Sequence, residues 1–261
     1  MNNRLLSYEC VDVSYNGQTV VQDISFDLYQ GEILGIVGES GSGKSTLLKA
    51  GMGLLGNTGL VTRGDIWFEN QDIPDLSEAK MRHIRGAKIG MIFQDAGASL
   101  SPVRTIGKQI YDSISAHKKI TRAEAKEKAL DLFEKLNLRN GERIWESYPF
   151  ELSGGMNQRV GIAIAMIMEP PILFADEPTS ALDVAVQRQA VQEMLRLREL
   201  FGTAIILVTH DIGVVSAMAD RVMVLKDGKM VEYGEARHVL ENPEHEYTKK
   251  LLAAVPRLRR E

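Results

Sequence analysis

Gly38-Glu39-Ser40-Gly41-Ser42-Gly43-Lys44-Ser45 decides how the rest of this chain is read. It fits a pattern in which glycine, four free positions, glycine and lysine precede serine or threonine. Before it, Ile33-Leu34-Gly35-Ile36-Val37 has the make-up of a short buried β-strand, and after it Thr46-Leu47-Leu48-Lys49-Ala50 opens a helix. That order suits a nucleoside triphosphate. Glycine admits backbone angles closed to other residues, so successive N–H groups turn toward one set of phosphate oxygens at the positive end of a helix dipole. The expected phosphate site is Gly38, Ser40, Gly41, Ser42, Gly43, Lys44, Ser45 and Thr46, with Lys44 on the β- and γ-phosphates and the Ser45 hydroxyl on magnesium. The competing reading, a glycine-rich turn with an exposed lysine, leaves the flanking strand and helix without a purpose.

Composition bounds the answer. A chain of 261 residues with 44% hydrophobic content can bury a substantial core, and one large domain with an insertion fits better than two domains. The net charge of -4 provides no global basic field, which argues against nucleic acid as the main partner. A single cysteine, Cys10, excludes an intramolecular disulfide or a cysteine-rich metal cluster and is expected as a small core residue of a strand. Met1 to Tyr15 lacks the basic-then-apolar order of a secretory signal, and no apolar run is long enough to cross a bilayer. The expectation is a cytoplasmic chain whose membrane role comes through partners.

Leu6 to Tyr15 and Val20 to Leu28 alternate as strands about Asn16-Gly17, a strong hairpin signal. Tyr15, at the end of the first strand, could stack on a nucleobase or simply pack. Gly64 to Phe68 suggests a further strand, Ser77 to Arg85 a polar helix, and Ile89 to Phe93 a buried strand ending at Gln94. Ligands of open α/β sheets sit at the carboxyl ends of parallel strands, so Gln94 could touch magnesium or an attacking water, or be a surface residue. From Ala96 to Pro149 the texture becomes helical: Thr105 to His117 is amphipathic, and Thr121-Arg122-Ala123-Glu124 is a capping box opening a helix to about Leu136.

Leu152-Ser153-Gly154-Gly155-Met156-Asn157-Gln158-Arg159 leads into a helix from Val160 to Met168 that Pro170 and Pro171 stop. It is a second helix amino terminus with a hydroxyl and unhindered amides, suited to phosphate or to ordinary capping by Ser153. Ile172 to Asp176 is an apolar strand followed directly by Glu177, and Ser180-Ala181-Leu182-Asp183 comes soon after. Ala204 to Thr209 is another buried strand, ending at His210. Strands at Arg221 to Leu225 and Met230 to Tyr233 flank the Asp227-Gly228 turn, and helices at Glu235 to Leu240 and Tyr247 to Ala254 precede the basic end Arg257-Leu258-Arg259-Arg260.

Taken together and in order, these motifs resemble the ATP-binding cassette family, the ATPase subunits of ABC transporters. The resemblance implies an α/β fold: a P-loop NTPase (RecA-like) core with an antiparallel β subdomain, about 1–95 and 155–261, and an inserted α-helical subdomain at about 96–154. It implies Tyr15 as the adenine-stacking aromatic, Gly38 to Ser45 as the Walker A loop and Gln94 as the Q-loop residue. Ser153, Gly154, Gly155, Met156 and Gln158 then form the signature, which acts on the nucleotide of a second chain. Asp176 ends the Walker B strand and helps hold magnesium together with Ser45 and Gln94. Glu177 polarises the attacking water, His210 is the switch histidine, and Asp183 lies at the dimer interface.

Methionine at 156, where many cassettes carry glutamine, is similar to the peptide and nickel importer branch. The Ser99-Leu100-Ser101-Pro102 loop and the tail from Asn242 to Leu252 resemble the same branch. This implies an ATP- and magnesium-dependent ATPase on the cytoplasmic face of the cell membrane. Its implied partners are integral membrane permease subunits, an extracytoplasmic solute-binding protein and a second ABC ATPase subunit, a related chain being favoured over an identical one. An exporter ATPase is the alternative within transport. A DNA-repair or chromosome-organising ABC ATPase would need a long coiled coil between the Walker A loop and the signature, and a ribosome-associated factor is expected to carry two cassettes.

Overall fold

The computed structural model describes residues 3–94, 99–179 and 184–254, without the side chains of Val184 and Ala185. Asp183, the rest of the 180–183 stretch and the basic end at 257–260 lie outside the described residues. In chain order the elements are β1 (Arg4–Tyr15), β2 (Gln18–Tyr29), β3 (Ile33–Val37), α1 (Lys44–Gly51), β4 (Gly59–Phe68), β5 (Gln71–Asp72), α2 (Glu78–Ile84) and β6 (Ile89–Ile92). They continue with α3 (Ile106–Ser115), α4 (Arg122–Lys135), α5 (Gly141–Glu146), α6 (Gly154–Met166), β7 (Ile172–Asp176) and α7 (Val184–Phe201). The chain then runs through β8 (Ala204–Val208), α8 (Ile212–Met218), β9 (Arg221–Lys226), β10 (Lys229–Glu235), α9 (Ala236–Glu241) and α10 (Glu246–Ala253). Two compact units result, Met1–Met81 with Ala204–Glu261, and Arg82–Thr203.

In the first unit β2-β1-β4-β5 form an antiparallel sheet. Asn16 and Gly17 both have positive φ, 49° and 78°, so a two-residue turn sets Tyr15 opposite Gln18. The register shifts between Tyr8 and Val11, and Cys10 sits in that bulge at φ 51°. Cys10 is therefore exposed rather than in the core, with its amide donating to the Ser25 hydroxyl at 2.8 Å. The bulge breaks the strict alternation on which its core assignment rests. β4 begins earlier than its apolar residues indicate, since the exposed stretch from Gly59 to Arg63 is held by pairing with β1 and not by burial.

The second sheet element of this unit has β3 between β8 and β9, both parallel to it, with β10 antiparallel on β9. β3 and β8 are buried at every residue, which is why their sequences are continuous apolar runs. Tyr8 ties the antiparallel sheet to the phosphate-loop helix: its hydroxyl donates to the Leu47 carbonyl of α1 at 2.8 Å, and its ring stacks on Phe26 at 4.4 Å.

In the second unit β6 and β7 run parallel, with Ile92 opposite Ala175. α3, α4 and α5 pack on one another. Thr105 caps α3 and the Thr121–Glu124 capping box is complete in both directions. α5 is short and polar and carries no periodic signal in the sequence, yet Ile144 and Trp145 are buried. Gly107 of α3 makes room for that tryptophan, because a Cβ there would lie 2.4 Å from the Trp145 ring.

Tyr8→Phe removes the buried phenol and keeps the stacked ring. Urea unfolding should show a stability loss of about 1 kcal/mol, the net worth of one buried hydrogen bond.

Candidate functional site

The phosphate loop joins β3 to α1, and its shape follows from residues that are absent as much as from those present. A Cβ on Gly38 would lie 2.2 Å from the Leu225 carbonyl oxygen and 2.8 Å from the Ser42 hydroxyl, so only glycine fits. Gly43 caps α1 in the left-handed region at φ 99° and offers no side chain to the helix. No side chain caps the start of α1, and no acidic residue occupies its first turn. This places a glycine turn at the positive end of a helix.

Lys44 is only 5% exposed and folds over the loop, its ammonium donating to the carbonyls of Gly38 at 2.8 Å and Glu39 at 2.7 Å. Ser42 is equally enclosed, and its hydroxyl is buried without a hydrogen-bond partner. A buried orphan hydroxyl beside an ammonium, at a helix start with no side-chain cap, suits an anion with several acceptor oxygens. Ser40 and Gly41 are exposed, while Ser45 and Thr46 are half-buried at the start of α1.

Two further candidate residues of the first unit lie on elements that adjoin this loop. His210 follows β8, whose Val208 pairs with Ile36 of β3, so the histidine and the loop leave the same carboxyl edge of neighbouring parallel strands. Thr209 N–H donates to the Ile36 carbonyl at 3.2 Å, and Asp211 caps α8 through the Gly213 and Val214 amides. His210 itself is exposed. Tyr15 ends β1 with its ring against Gly59, where a Cβ would come within 2.6 Å of Cε1. It is half-buried, and the same hairpin reaches the loop through Val21, whose Cγ2 would be 2.7 Å from a Cβ on Gly43.

The second unit presents another strand edge. Asp176 ends β7 and is 7% exposed, and Glu177 follows it, half-buried and in the left-handed region at φ 47°. A glutamate there carries backbone strain, and such strain collects where a side chain must be aimed. Gln94 lies two residues beyond Ile92 just as Glu177 lies two beyond Ala175, so the exposed amide and the carboxylate share one carboxyl edge. Among the described residues no cluster of three His, Cys, Asp or Glu side chains could cage a metal. The oxygen donors on hand suit an ion that takes its remaining ligands from water and phosphate, as magnesium does.

Ser153 caps α6, accepting from the Met156 amide at 3.3 Å, so this helix starts at Gly154 and not at Val160. The apolar run begins only at Val160, whereas the capping serine and the amides after it set the true start. Ser153 and Gly154 are exposed, and Gly154 has open space where a Cβ would be. Gly155 faces Val186 of α7, and Gln158 is buried with its side-chain amide donating to the Pro178 carbonyl. Gln158 thus joins the α6 amino terminus to the turn after Glu177.

Arg159 is a residue that the sequence reading left without a role. Its guanidinium pairs with Glu193 of α7 and donates to the Leu136 carbonyl at 2.8 Å and the Asn137 carbonyl at 3.2 Å, tying α6 to α7 and to the end of α4. Burial pushes the Glu193 carboxyl up, against the pull of the Arg159 guanidinium. An arginine at the head of an otherwise apolar helix was the available signal.

Comparison with known proteins bears on both units. Residues 21–180 match the family model described as ABC transporter, and residues 231–261 match one described as the C-terminal region of oligopeptide/dipeptide transporters. The chain is 45% identical over 261 residues to the dipeptide transport ATP-binding protein DppD of Bacillus subtilis, covering 98% of this chain and 78% of that one. It is 44% identical over 248 residues to the oligopeptide transport ATP-binding protein AmiE of Streptococcus pneumoniae, covering 95% and 70%. A dimeric ATP-binding cassette in a post-hydrolysis state, bound to ADP and Pi, superposes with a TM-score of 0.77 at 30% identity over 89% of this chain and 99% of that one. The cbiO1 component of a Clostridium perfringens ABC transporter complex gives 0.79 at 27% identity, covering 97% and 96%.

Arg159→Met strands the buried Glu193 carboxylate and should cost about 3–5 kcal/mol at neutral pH in denaturant unfolding. A raised carboxyl pKa favours the folded state while the group is neutral, so the loss should shrink as the pH falls toward the carboxylate range. Adding Glu193→Gln should recover most of it.

Proposed function

This chain belongs to the ABC transporter family, as an ATPase cassette with a P-loop NTPase fold, and from that membership we propose that it is the energy-coupling subunit of a peptide importer. The observation that carries the cargo class is the match of residues 231–261 to the oligopeptide/dipeptide transporter C-terminal region, alongside the dipeptide and oligopeptide names of the relatives. Those names favour peptides over nickel or a nickel chelate. In this reading one nucleotide-binding domain has its α/β core and β subdomain at about 1–95 and 155–261, and its helical insertion at about 96–154.

Each site residue then takes a role. Tyr15 stacks on adenine. Gly38, Ser40, Gly41, Ser42, Gly43, Ser45 and Thr46 cradle the phosphates, and Lys44 releases its two carbonyls to meet the β- and γ-phosphate oxygens. Ser45, Gln94 and Asp176 would hold magnesium, which when bound supplies positive charge to offset the triphosphate. Glu177 orients and polarises the attacking water, and His210 contacts the γ-phosphate as charge moves in the transition state.

Ser153, Gly154, Gly155, Met156 and Gln158 serve the nucleotide of a second cassette in a head-to-tail dimer, with Asp183 at the interface. The partner cassette is a related chain in preference to an identical one. Among the described residues no helix is long and apolar enough to cross a membrane. Coupling to transport therefore assigns permease subunits as partners, at the cytoplasmic face of the membrane, with an extracytoplasmic binding protein to deliver the cargo.

Glu177→Gln should lower ATP turnover by about a hundredfold or more, on the scale of losing a general base, while ATP affinity is kept and the closed dimer accumulates. Unchanged hydrolysis would remove Glu177 from its role. Affinity purification of the full chain from gently solubilised membranes of its source should recover polytopic membrane proteins and a peptide-binding protein. Recovery of ribosomes or DNA-processing proteins without any membrane protein would overturn the importer reading and leave the ATPase standing.

A further inference from the structure

The phosphate loop is pinned from within by several bonds of its own. Ser42 N–H donates to the Glu39 carbonyl at 3.2 Å, Lys44 holds the carbonyls of Gly38 and Glu39, and Gly228 N–H donates to the Ser42 carbonyl at 3.2 Å. The exposed limb at Glu39, Ser40 and Gly41 projects beyond these bonds. A contact from far along the chain reaches that limb. Tyr247 of α10 accepts a hydrogen bond on its hydroxyl oxygen from the Glu39 N–H at 3.1 Å, across 208 residues of sequence.

Tyr247 is well placed to act as a fixed point. Its side chain is buried, and its backbone amide donates to His245 Nδ1 at 3.1 Å, which caps α10. Glu232 of β10 accepts from the Glu244 amide at 2.8 Å and the His245 amide at 3.1 Å, fastening the turn before α10 to the sheet element. The Lys226 ammonium lies 5.2 Å from the Tyr247 ring centroid, and Lys226 adjoins Leu225, whose carbonyl crowds Gly38. Burial, with the nearby Glu39 carboxylate adding to it, raises the phenol's pKa above its ordinary value, so the hydroxyl stays protonated across neutral pH.

We propose that Tyr247 is a positioning residue for nucleotide binding: by holding the Glu39 amide it fixes the peptide plane whose carbonyl holds Lys44, and so links the C-terminal region to the phosphate loop. The Gly38–Glu39 peptide carries both contacts, with the Glu39 N–H toward Tyr247 and the Gly38 carbonyl toward Lys44, while the next carbonyl, that of Glu39, accepts from Lys44 and from the Ser42 N–H. Without the phenol, the 39–41 limb samples more conformations before it closes on phosphate, and that ordering cost is charged to binding. The chemical step uses other groups. Residues 231–261 are also the part of the chain that matches the oligopeptide/dipeptide C-terminal model, so the branch-specific segment is wired into the ATP site.

This rests on the reading of Gly38 to Ser45 as the ATP site, and the test separates the two. The full chain and its Tyr247→Phe variant are titrated with a fluorescent ATP analogue, assayed for ATPase activity where turnover is present, and melted thermally. Phenylalanine keeps the ring and its packing. Affinity should fall about fivefold, the equivalent of one net hydrogen bond of roughly 1 kcal/mol, appearing in KM and Kd with kcat and the apo melting temperature little changed. Equal affinity of the two chains overturns the proposal, and so does an affinity loss that accompanies a matching drop in melting temperature. A wild-type chain that binds no nucleotide overturns the ATP-site reading itself, and the role of Tyr247 falls with it.

Discussion

The start of α1 carries no side-chain cap, and the close packing of the first unit holds the glycine turn that takes the cap's place. An ordinary helix start would be closed by a serine, threonine or aspartate side chain, as Thr105, Thr121, Ser153 and Asp211 close others in this chain. Gly43 supplies nothing of the kind. With no side-chain cap to fix the helix start, the loop takes its rigidity from packing around it. That support comes from Leu225 against Gly38, from Val21 against Gly43, and from Tyr8 on the Leu47 carbonyl.

Charge placement in the two units follows complementary rules. The loop of the first unit gathers amides and a buried ammonium satisfied by carbonyls, which favours an anion. The β7 edge of the second unit gathers a nearly buried aspartate and a strained glutamate, which suits a cation or a water to be polarised. α6 then resembles α1 in offering a helix amino terminus, but with Ser153 as a real cap and an arginine anchoring it to α7. The start of α6 is thus closed by a side chain where that of α1 is not.

Much of this was legible in residues alone, because the signals are local. The parallel strands β3, β7 and β8 are short apolar runs, and each lies within two residues of a residue with a candidate role: Gly38, Asp176 and His210. The Asn16-Gly17 turn and the Thr121 capping box are set by backbone chemistry within a few residues. Where the reading missed, non-local pairing decided. Cys10 turned outward because a bulge shifts the β1 register, and β4 extends to Gly59 because β1 offers it a partner. α5 packs with its Trp145 in the space that Gly107, far away in sequence, leaves open.

Residue types at fixed short spacing were enough to give the phosphate loop, the order of the motifs and the α/β class. The groups that hold those motifs in place are visible only in three dimensions: Tyr247 on Glu39, Arg159 on Glu193, Gln158 on Pro178 and the Leu225 carbonyl against Gly38. These contacts join residues tens to hundreds of positions apart. A hydrogen bond or a close approach of that kind leaves no periodicity in the chain, and it exists only once the strands and helices have brought its two ends together.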